Sequence, residues 1–298
     1  MWRFTGLFLA VGLFIAPDFA QASDILGVAW DGTVVLIDES SDTGQDIGPS
    51  GFSGLNSLAK SSNGTFYSVA GDPLFTTAST LITIDSSTGL GASVAAVNGL
   101  DAGTVRAVAF SPGDVLYAIG NGGGAFGTGI ADDLYAINLI TGDATLIGNT
   151  GFSGIQGLAF GPDGTLYGWD VNSLFTGAGL VTINPLNGQA IDVNANIGES
   201  DSDIQGLAFA SDGTFYGARH TLFTIDPLTG AVVAVGPNTL ADIRGIESLD
   251  TKTENDPAST TTPEPASWFL LGLGLLVFAS LVVTRHRHSK GAGRSEVS

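Results

Sequence analysis

A pattern of about 50 residues recurs four times in this 298-residue chain. The copies are GLNSLAKSSNGTFYSV, TVRAVAFSPGDVLYAI, GIQGLAFGPDGTLYGW and DIQGLAFASDGTFYGA, beginning at residues 54, 104, 154 and 203, and a partial copy, DIRGIESLD, spans residues 242–250. Self-similarity at such a period predicts a repeat fold in which each copy is one supersecondary unit. The equivalent apolar positions, spaced by 50, 50, 49 and 39 residues, are Leu55, Val105, Ile155, Ile204 and Ile243.

Each copy predicts four short strands. A first strand leads to a turn such as Asn63-Gly64, whose residues supply the positive φ angles of a tight hairpin, and then to a second strand. The third strand is TLITID, DLYAIN, GLVTIN or TLFTID, and the turn after it ends in glycine, as in SSTG or PLTG, before a fourth strand. Four strands in 40–50 residues, with apolar residues on both faces, indicate a β-propeller blade. The 43 glycines of the chain suit such a turn-rich fold.

The first blade is predicted to combine both ends of the domain. ILGVAW, TVVLID and GQDIGP supply only three strands, whereas residues 243–249 form a strand that is left over. Pairing the two ends closes the ring and removes an open sheet edge. We therefore predict an all-β, five-bladed propeller over residues 23–249. The segment GLAF-PDGTLYG resembles the repeats of NHL- and YVTN-type propellers, which implies the fold and gives no function.

The N-terminus has the features of a secretory signal peptide, predicted over residues 1–22. Arg3 precedes an apolar stretch at residues 5–16, and Ala20 and Ala22 are the small residues that signal peptidase recognises. A retained N-terminal anchor is the alternative. The mature chain is expected to be exported, and because it contains no cysteine its stability must come from a hydrophobic core without disulfides.

A second apolar stretch, near the C-terminus, has the length of a membrane span. Residues 266–284 would cross the inner membrane as a single helix. The basic residues that follow, Arg285, Arg287 and Lys290, would keep residues 291–298 in the cytoplasm and the propeller outside. Residues 250–262, DTKTENDPASTTT, are polar and Thr-rich, which predicts a flexible linker.

Pro263, Glu264 and Pro265 precede this span, and an Arg-rich end follows it. This order of parts resembles the PEP-CTERM sorting signal of Gram-negative bacteria, over about a tenth of the chain. The resemblance implies that an exosortase recognises Pro263-Glu264-Pro265 and removes the tail, and it implies an association with exopolysaccharide. The expected location is a membrane-anchored precursor and then the cell surface or the medium. An ordinary single-span anchor with a chance Pro-Glu-Pro is the alternative.

The second position of every inner strand is polar. Because the inner strand of a blade lines the central channel, these five side chains are predicted to form a ring at one end of the channel. Arginine donors suit carboxylates or sugar hydroxyls, so the ring is a candidate ligand site. The ring would alternatively be structural, binding backbone carbonyls, channel water or nearby Asp203 and Asp242. Its members are Asn56, Arg106, Gln156, Gln205 and Arg244.

The longest predicted loops join the second and third strands and should emerge at the same end of the channel. Three of them each carry a phenylalanine: Phe75, Phe126 and Phe175. Aromatic rings beside polar groups would make a platform for sugars. The same rings would otherwise fold back and cap the blade cores.

Few residues of the sequence suit metal binding, catalysis or nucleic-acid binding. Glu199, Asp201 and Asp203 alternate in one loop and would suit Ca²⁺, or would form a solvated acidic loop; no other cofactor is expected. His220 has no serine in a nucleophile context to act with. The net charge of residues 23–262 is −21, from 26 acidic and five basic residues, which excludes nucleic acid as a partner.

Glycoside hydrolysis needs two facing carboxylates, and Glu247 is the one acid well inside a predicted inner strand. We therefore predict no catalytic residues. The predicted role is non-catalytic binding or scaffolding in association with exopolysaccharide. The alternatives are a propeller hydrolase, of glycosidase or lactonase type, acting at the end of the channel, and a structural matrix protein without a ligand.

Overall fold

The computed structural model describes residues 24–71, 78–100, 104–120, 130–171, 179–193 and 203–249, and twenty β-strands lie within them. In chain order the strands are β1 (Ile25–Ala29), β2 (Thr33–Asp38), β3 (Thr43–Pro49), β4 (Leu55–Lys60), β5 (Phe66–Ala70), β6 (Thr80–Ile84), β7 (Gly91–Ala96), β8 (Val105–Phe110), β9 (Leu116–Gly120), β10 (Asp133–Ile137), β11 (Ala144–Asn149), β12 (Ile155–Phe160), β13 (Leu166–Asp170), β14 (Gly179–Ile183), β15 (Ala190–Asp192), β16 (Gly206–Phe209), β17 (Phe215–Ala218), β18 (Leu222–Ile225), β19 (Val232–Ala234) and β20 (Ile243–Ser248).

These strands form five antiparallel four-stranded sheets, the blades of a propeller. From the channel outward the blades are β20–β1–β2–β3, β4–β5–β6–β7, β8–β9–β10–β11, β12–β13–β14–β15 and β16–β17–β18–β19. The inner strands β20, β4, β8, β12 and β16 lie side by side in a closed ring. The predicted five-bladed, all-β fold is confirmed.

No helix in the described ranges is long and apolar enough to cross a membrane. Residues 266–284, the predicted span, lie outside those ranges, as do the predicted signal peptide, linker and cytoplasmic tail.

The ring is closed by the C-terminal strand, as the sequence predicts. Strand β20 pairs antiparallel with β1, from Ile25 opposite Ser248 to Ala29 opposite Ile243. The side chains of Ile243 and Ile246 are fully buried against the first and last blades. The last strand therefore completes the first sheet and covers the inner edge of β1, which a chain without it would expose.

The hydrophobic core lies between blades. Leu26 and Val34 of the first blade pack with Leu55 and Ile82 of the second. The other four blade interfaces are also filled by buried apolar side chains, mostly aliphatic, with Trp169 and Phe215 between the fourth and fifth blades. Neighbouring blades cover both faces of each sheet. The second and third strands therefore bury consecutive residues, which point to opposite faces, and not only every other residue. This explains why the sequence shows weak polar alternation within those strands.

Small residues let the inner strands approach closely. The fourth residue of each repeat copy, directly after the polar ring position, is serine, alanine or glycine, and all five are buried: Ser57, Ala107, Gly157, Gly206 and Gly245. A Cβ atom on Gly245 would overlap the backbone of Ser57 and Leu58 in the neighbouring inner strand, and one on Gly206 would lie 2.9 Å from the backbone nitrogen of Ile246. The channel is therefore narrow along these residues.

Candidate functional site

The five predicted ring residues lie at the N-terminal ends of the inner strands. This end of the channel is its mouth. Three of them occupy β-bulges: Arg106, Gln156 and Arg244 are each skipped in the pairing with the second strand of their blade. Gln205 lies just before β16 and its backbone N–H donates to Ala218. A bulge interrupts the regular pairing and re-aims one side chain, so these positions combine a strand-bound backbone with a side chain turned out of the ladder.

Most ring side chains are nearly enclosed. Asn56, Arg106 and Gln156 are 7% exposed and Gln205 is 5% exposed, whereas the side chain of Arg244 is 18% exposed. The ring residues bind different partners. By these partners, the mouth divides into two parts.

The first part, formed by the last and first blades, is a closed ionic network. Arg244 binds both carboxylate oxygens of Asp242, with Nε 2.9 Å from Oδ1 and Nη2 2.7 Å from Oδ2. Arg219 donates to Asp242 Oδ1 at 2.8 Å and forms a second ion pair with Asp203. Gln205 joins these groups, donating to Asp203 at 2.8 Å and accepting from Arg244 at 3.1 Å. Each of these five residues is bound to at least one other member of the network.

The pKa of Asp242 reflects this network. Burial alone would raise it, but hydrogen bonds from Arg244 and Arg219, together with their charges, hold it below its usual value. Asp242 is therefore ionised at neutral pH and pairs with both arginines. This is the alternative that the sequence left open for Gln205 and Arg244, whose partners are indeed Asp203 and Asp242.

Trp30 also contributes to this part of the mouth. The guanidinium carbon of Arg244 lies 5.0 Å from the centre of the Trp30 ring, a cation–π contact. Sequence reasoning did not single out Trp30. The available signal was that the other four blades have no aromatic residue at the matching place after the second strand, where the sequence has Gly71, Asn121, Val171 and Arg219.

The second part, formed by the second, third and fourth blades, contains a buried charged cluster. Arg106 Nε lies 3.9 Å from Asp132 Oδ1, and Asp132 is fully buried. The other oxygen of Asp132 accepts a hydrogen bond of 3.0 Å from the backbone N–H of Ile155, the residue before Gln156. Asp170, at the end of β13, is 2% exposed and acts electrostatically on both Arg106 and Asp132.

The pKa of Asp132 is raised to about 7. The largest cause is burial, which disfavours the charged carboxylate; the negative charges of Asp170 and Asp133 add to it. The charge of Arg106 and the hydrogen bond from Ile155 oppose the shift without cancelling it. Burial likewise lowers the pKa of Arg106, against the charges of Asp132 and Asp170.

Two amides of the ring belong to this second part. Within the described ranges, no hydrogen-bond partner lies at the side chains of Asn56 and Gln156, although each is 7% exposed. Buried amides are usually hydrogen-bonded, because leaving them without a partner costs free energy. These two amides are therefore available to a ligand or to water at the mouth.

The sequence analysis named Asp203 and Asp242 as possible partners of the ring but missed the two buried acids of the mouth, Asp132 and Asp170. Asp132, Asp170 and Asp242 lie at strand ends and in loops, outside the repeated inner strand. The available signal was a comparison of loop ends: Ser79 is the residue before the third strand of the second blade, as Asp132 is in the third. Ser79 Oγ accepts from the N–H of Val105 at 2.9 Å, the same contact that Asp132 makes with Ile155.

Several predicted residues lie outside the described ranges: Phe75, Phe126, Phe175, Glu199, Asp201, Pro263, Glu264, Pro265, Arg285, Arg287 and Lys290. The calcium site stays a prediction, although its third member, Asp203, is bound to Arg219 and Gln205. In the described ranges no group of three or more His, Cys, Asp or Glu side chains is arranged to hold a metal ion.

Two residues considered for catalysis lie elsewhere. His220 is exposed in the short loop between β17 and β18. Glu247 is near the opposite end of the channel from the mouth, where its Oε2 accepts from the backbone N–H of Lys60 at 3.2 Å. Neither faces the charged cluster of the mouth.

Comparison with solved structures gives the fold and no activity. A protein of unknown function from Bacteroides thetaiotaomicron VPI-5482 has a TM-score of 0.50 and 19% identity, covering 74% of this chain and 56% of that one. The chain thus spans little more than half the length of that protein. A chain of the nidogen/laminin complex has a TM-score of 0.53 and 12% identity, covering 77% of this chain and 99% of its own. Comparison with curated proteins gives no match.

The C-terminal motif is matched directly. Residues 261–285 match the PEP-CTERM protein-sorting motif. This confirms the resemblance that Pro263-Glu264-Pro265 and the following span indicated, and with it the C-terminal membrane segment of the precursor. The chain is an exported five-bladed β-propeller protein that carries a PEP-CTERM sorting motif, made as a membrane-anchored precursor and sorted by an exosortase to the cell surface or beyond.

Proposed function

We propose that this propeller is a non-catalytic binding or scaffolding protein that contacts exopolysaccharide through its mouth. The observation that carries the proposal is the pair of enclosed amides, Asn56 and Gln156, which have no hydrogen-bond partner in the described ranges. A carboxamide offers two donors and an acceptor, which matches the donor-and-acceptor character of sugar hydroxyls.

A hydrolase acting at the mouth is the second candidate. The pKa of Asp132 near 7 favours it, since general acids and bases are commonly tuned to that range. The burial of the cluster argues against it: Asp132 is fully enclosed and Asp170 is 2% exposed, so neither carboxylate reaches a substrate in this arrangement. A structural matrix protein without a ligand is the third candidate.

Binding to exopolysaccharide purified from the producing bacterium tests the proposal. The protein would be residues 23–262, which include the complete closed ring. The informative variant is Asn56→Ala/Gln156→Ala, because it removes both amides and leaves the ionic network intact. Arg106→Ala is less suitable, because it would leave the fully buried Asp132 without its ion-pair partner. Arg244→Ala would break the partly buried pair with Asp242 and so alter the ionic network.

Gln45→Ala/Gln189→Ala is the matched control, since it removes two exposed amides far from the mouth. We expect saturable binding by the wild type and by the control, and at least tenfold weaker binding by the mouth variant at an unchanged melting temperature. Absence of binding by the wild type would overturn the proposal. Release of reducing ends from the polymer would favour the hydrolase instead.

A further inference from the structure

The part of the mouth that holds the available amides, defined by Asn56, Arg106 and Gln156, lies against an acidic cluster. Arg106 faces two carboxylates, Asp132 and Asp170, and both act on its charge. At a pH above the pKa of Asp132 this group has a net charge of −1. Below that pH the guanidinium is matched by Asp170 alone. In neither state is there a surplus of positive charge beside the amides.

The charges around the mouth make the electrostatic potential at the two amides more negative. The ectodomain has a net charge of −21, and the arginines of the other part of the mouth are bound to Asp203 and Asp242. An anionic ligand at the amides would approach buried negative charge in a medium that screens it weakly. A neutral ligand would meet the same hydrogen-bonding groups without that repulsion.

The fold does not need a charged side chain at the position of Asp132. In the preceding blade the hydroxyl of Ser79 satisfies the equivalent N–H of the next inner strand, at 2.9 Å against 3.0 Å for Asp132. A neutral side chain therefore completes the contact between blades. Asp132 adds a charge that must be buried and matched by Arg106, which costs free energy and brings no contact between blades that Ser79 lacks.

We propose that the amide part of the mouth binds neutral, hydroxyl-rich sugar units and rejects units that carry a carboxylate, with Asp132 as the residue that determines this selectivity. The inference rests on the proposed carbohydrate binding and specifies its ligand class. Asn56 and Gln156 supply hydrogen bonds to hydroxyls. Asp132 and Asp170 supply the repulsion that discriminates against acidic sugars.

The test uses residues 23–262 and matched pairs of hexasaccharides: glucan against glucuronan, mannan against mannuronan, and galactan against galacturonan. Calorimetric titration would give a Kd for each, and selectivity is the ratio of the acidic to the neutral Kd within a pair. The wild type should bind the neutral member of at least one pair and bind its acidic partner at least tenfold more weakly.

Asp132→Asn and Asp132→Ser remove the charge, and both leave an oxygen that can accept from Ile155. They should reduce the ratio on the order of tenfold, mainly through tighter binding of the acidic member. Asp46→Asn, which removes an exposed charge on an outer strand, is the control and should leave the ratio unchanged. Melting temperatures would show that each variant is folded.

The outcomes separate the inference from the proposed function. Preference of the wild type for acidic members, or a ratio that is the same in Asp132→Asn and the wild type, would overturn the inference and leave carbohydrate binding in place. If the wild type binds neither the exopolysaccharide nor any hexasaccharide, both the inference and the proposed function are overturned. Exopolysaccharide binding that disappears only when neutral hexasaccharides compete would support the inference.

Discussion

Asp42 joins the first blade to the last: its Oδ1 accepts a hydrogen bond of 2.7 Å from the backbone N–H of Leu222. Its other oxygen accepts from Asn238 at 3.2 Å, and its backbone carbonyl accepts from the hydroxyl of Thr239. Asp42 has a φ of 56°, and the matching turn of every other blade has glycine in this left-handed position, for example Gly142. The interface at which the ring closes is thus fixed by a buried carboxylate as well as by β20.

Replacing Asp42 by glycine should destabilise the protein although glycine suits the backbone. The N–H groups of Leu222 and Asn238 would lose their acceptor, and the expected cost is about 1–3 kcal/mol in free energy of unfolding. Urea denaturation would measure it. Asp46→Gly removes an exposed carboxylate from β3 and is the control for lost charge. Equal stability of Asp42→Gly and the wild type would show that the contacts of the carboxylate add nothing.

Asp42 should also make stability depend on pH. Burial raises the pKa of its carboxyl above the unfolded value, although hydrogen bonds from Leu222, Asn238 and Thr239 oppose the shift. The native state therefore holds the proton to higher pH than the unfolded state does, and stability falls as the pH rises through that interval. Asp42→Asn should lessen this fall, as urea titrations across the acidic range would show. An identical pH profile for the variant would contradict the assignment.

Asp132 should dominate the pH dependence nearer neutrality. An aspartic acid in an unfolded chain titrates near pH 3.9, whereas the pKa of Asp132 is about 7 in the folded protein. The native state binds the extra proton between these values, so stability declines from about pH 4 to about pH 7 and then levels off. Thermal unfolding at pH 5 and pH 8 should show a smaller decline for Asp132→Asn than for the wild type.

Ser79→Ala is the matched control for this prediction. It removes the equivalent hydrogen bond, to Val105, without changing a charge. We expect it to cost about 1–3 kcal/mol at both pH values. A pH-dependent loss in Ser79→Ala, or an unchanged decline in Asp132→Asn, would assign the effect to other groups.

The sequence predicted the fold because the propeller is specified locally and repeatedly. Asn63-Gly64 and its equivalents fix the hairpins, and the leftover strand at residues 243–249 required a partner that only β1 could supply. The ring positions followed from the same repeat. Asp242, named from the sequence as a possible partner of the ring, lies only two residues before Arg244. Asp132 did not follow, because its bond with Ile155 links a loop of the third blade to the inner strand of the fourth.

Such contacts depend on the lateral packing of blades, which one copy of the repeat does not encode. Arg106 shows a second limit, within one blade. Its position in the ring was predictable, but its partner lies 26 residues away before β10, in a loop whose length varies between copies. Gln156 is the opposite case, since both its place in the ring and its amide chemistry were readable from the repeat.

The closing strand should be indispensable. A protein ending at Asp242 would lack Ile243 and Ile246, which are fully buried, and would expose the inner edge of β1. Burying each such side chain contributes about 1.5–3 kcal/mol, before the hydrogen bonds of the pair are considered. We expect this truncation to lose its cooperative thermal transition and to be cleaved rapidly by protease, whereas a protein ending at Leu249 should resist. Cooperative unfolding of the shorter protein would contradict closure by β20.

The tight packing of the inner strands gives a last prediction, which concerns Gly245. An alanine Cβ there would overlap the backbone of Ser57 and Leu58, and neither can move without displacing its whole strand. Overpacking of this kind costs about 1–3 kcal/mol and sometimes more, and here it acts at the ring closure. Gly113→Ala is the control, because its Cβ would lie 3.8 Å from the nearest atom, Ser111 Oγ. Urea denaturation should show a loss of at least 2 kcal/mol for Gly245→Ala and a change within about 0.5 kcal/mol for Gly113→Ala. Equal stability of the two variants would mean that the inner strands have room to separate, and the narrow channel described for this ring would then be wrong.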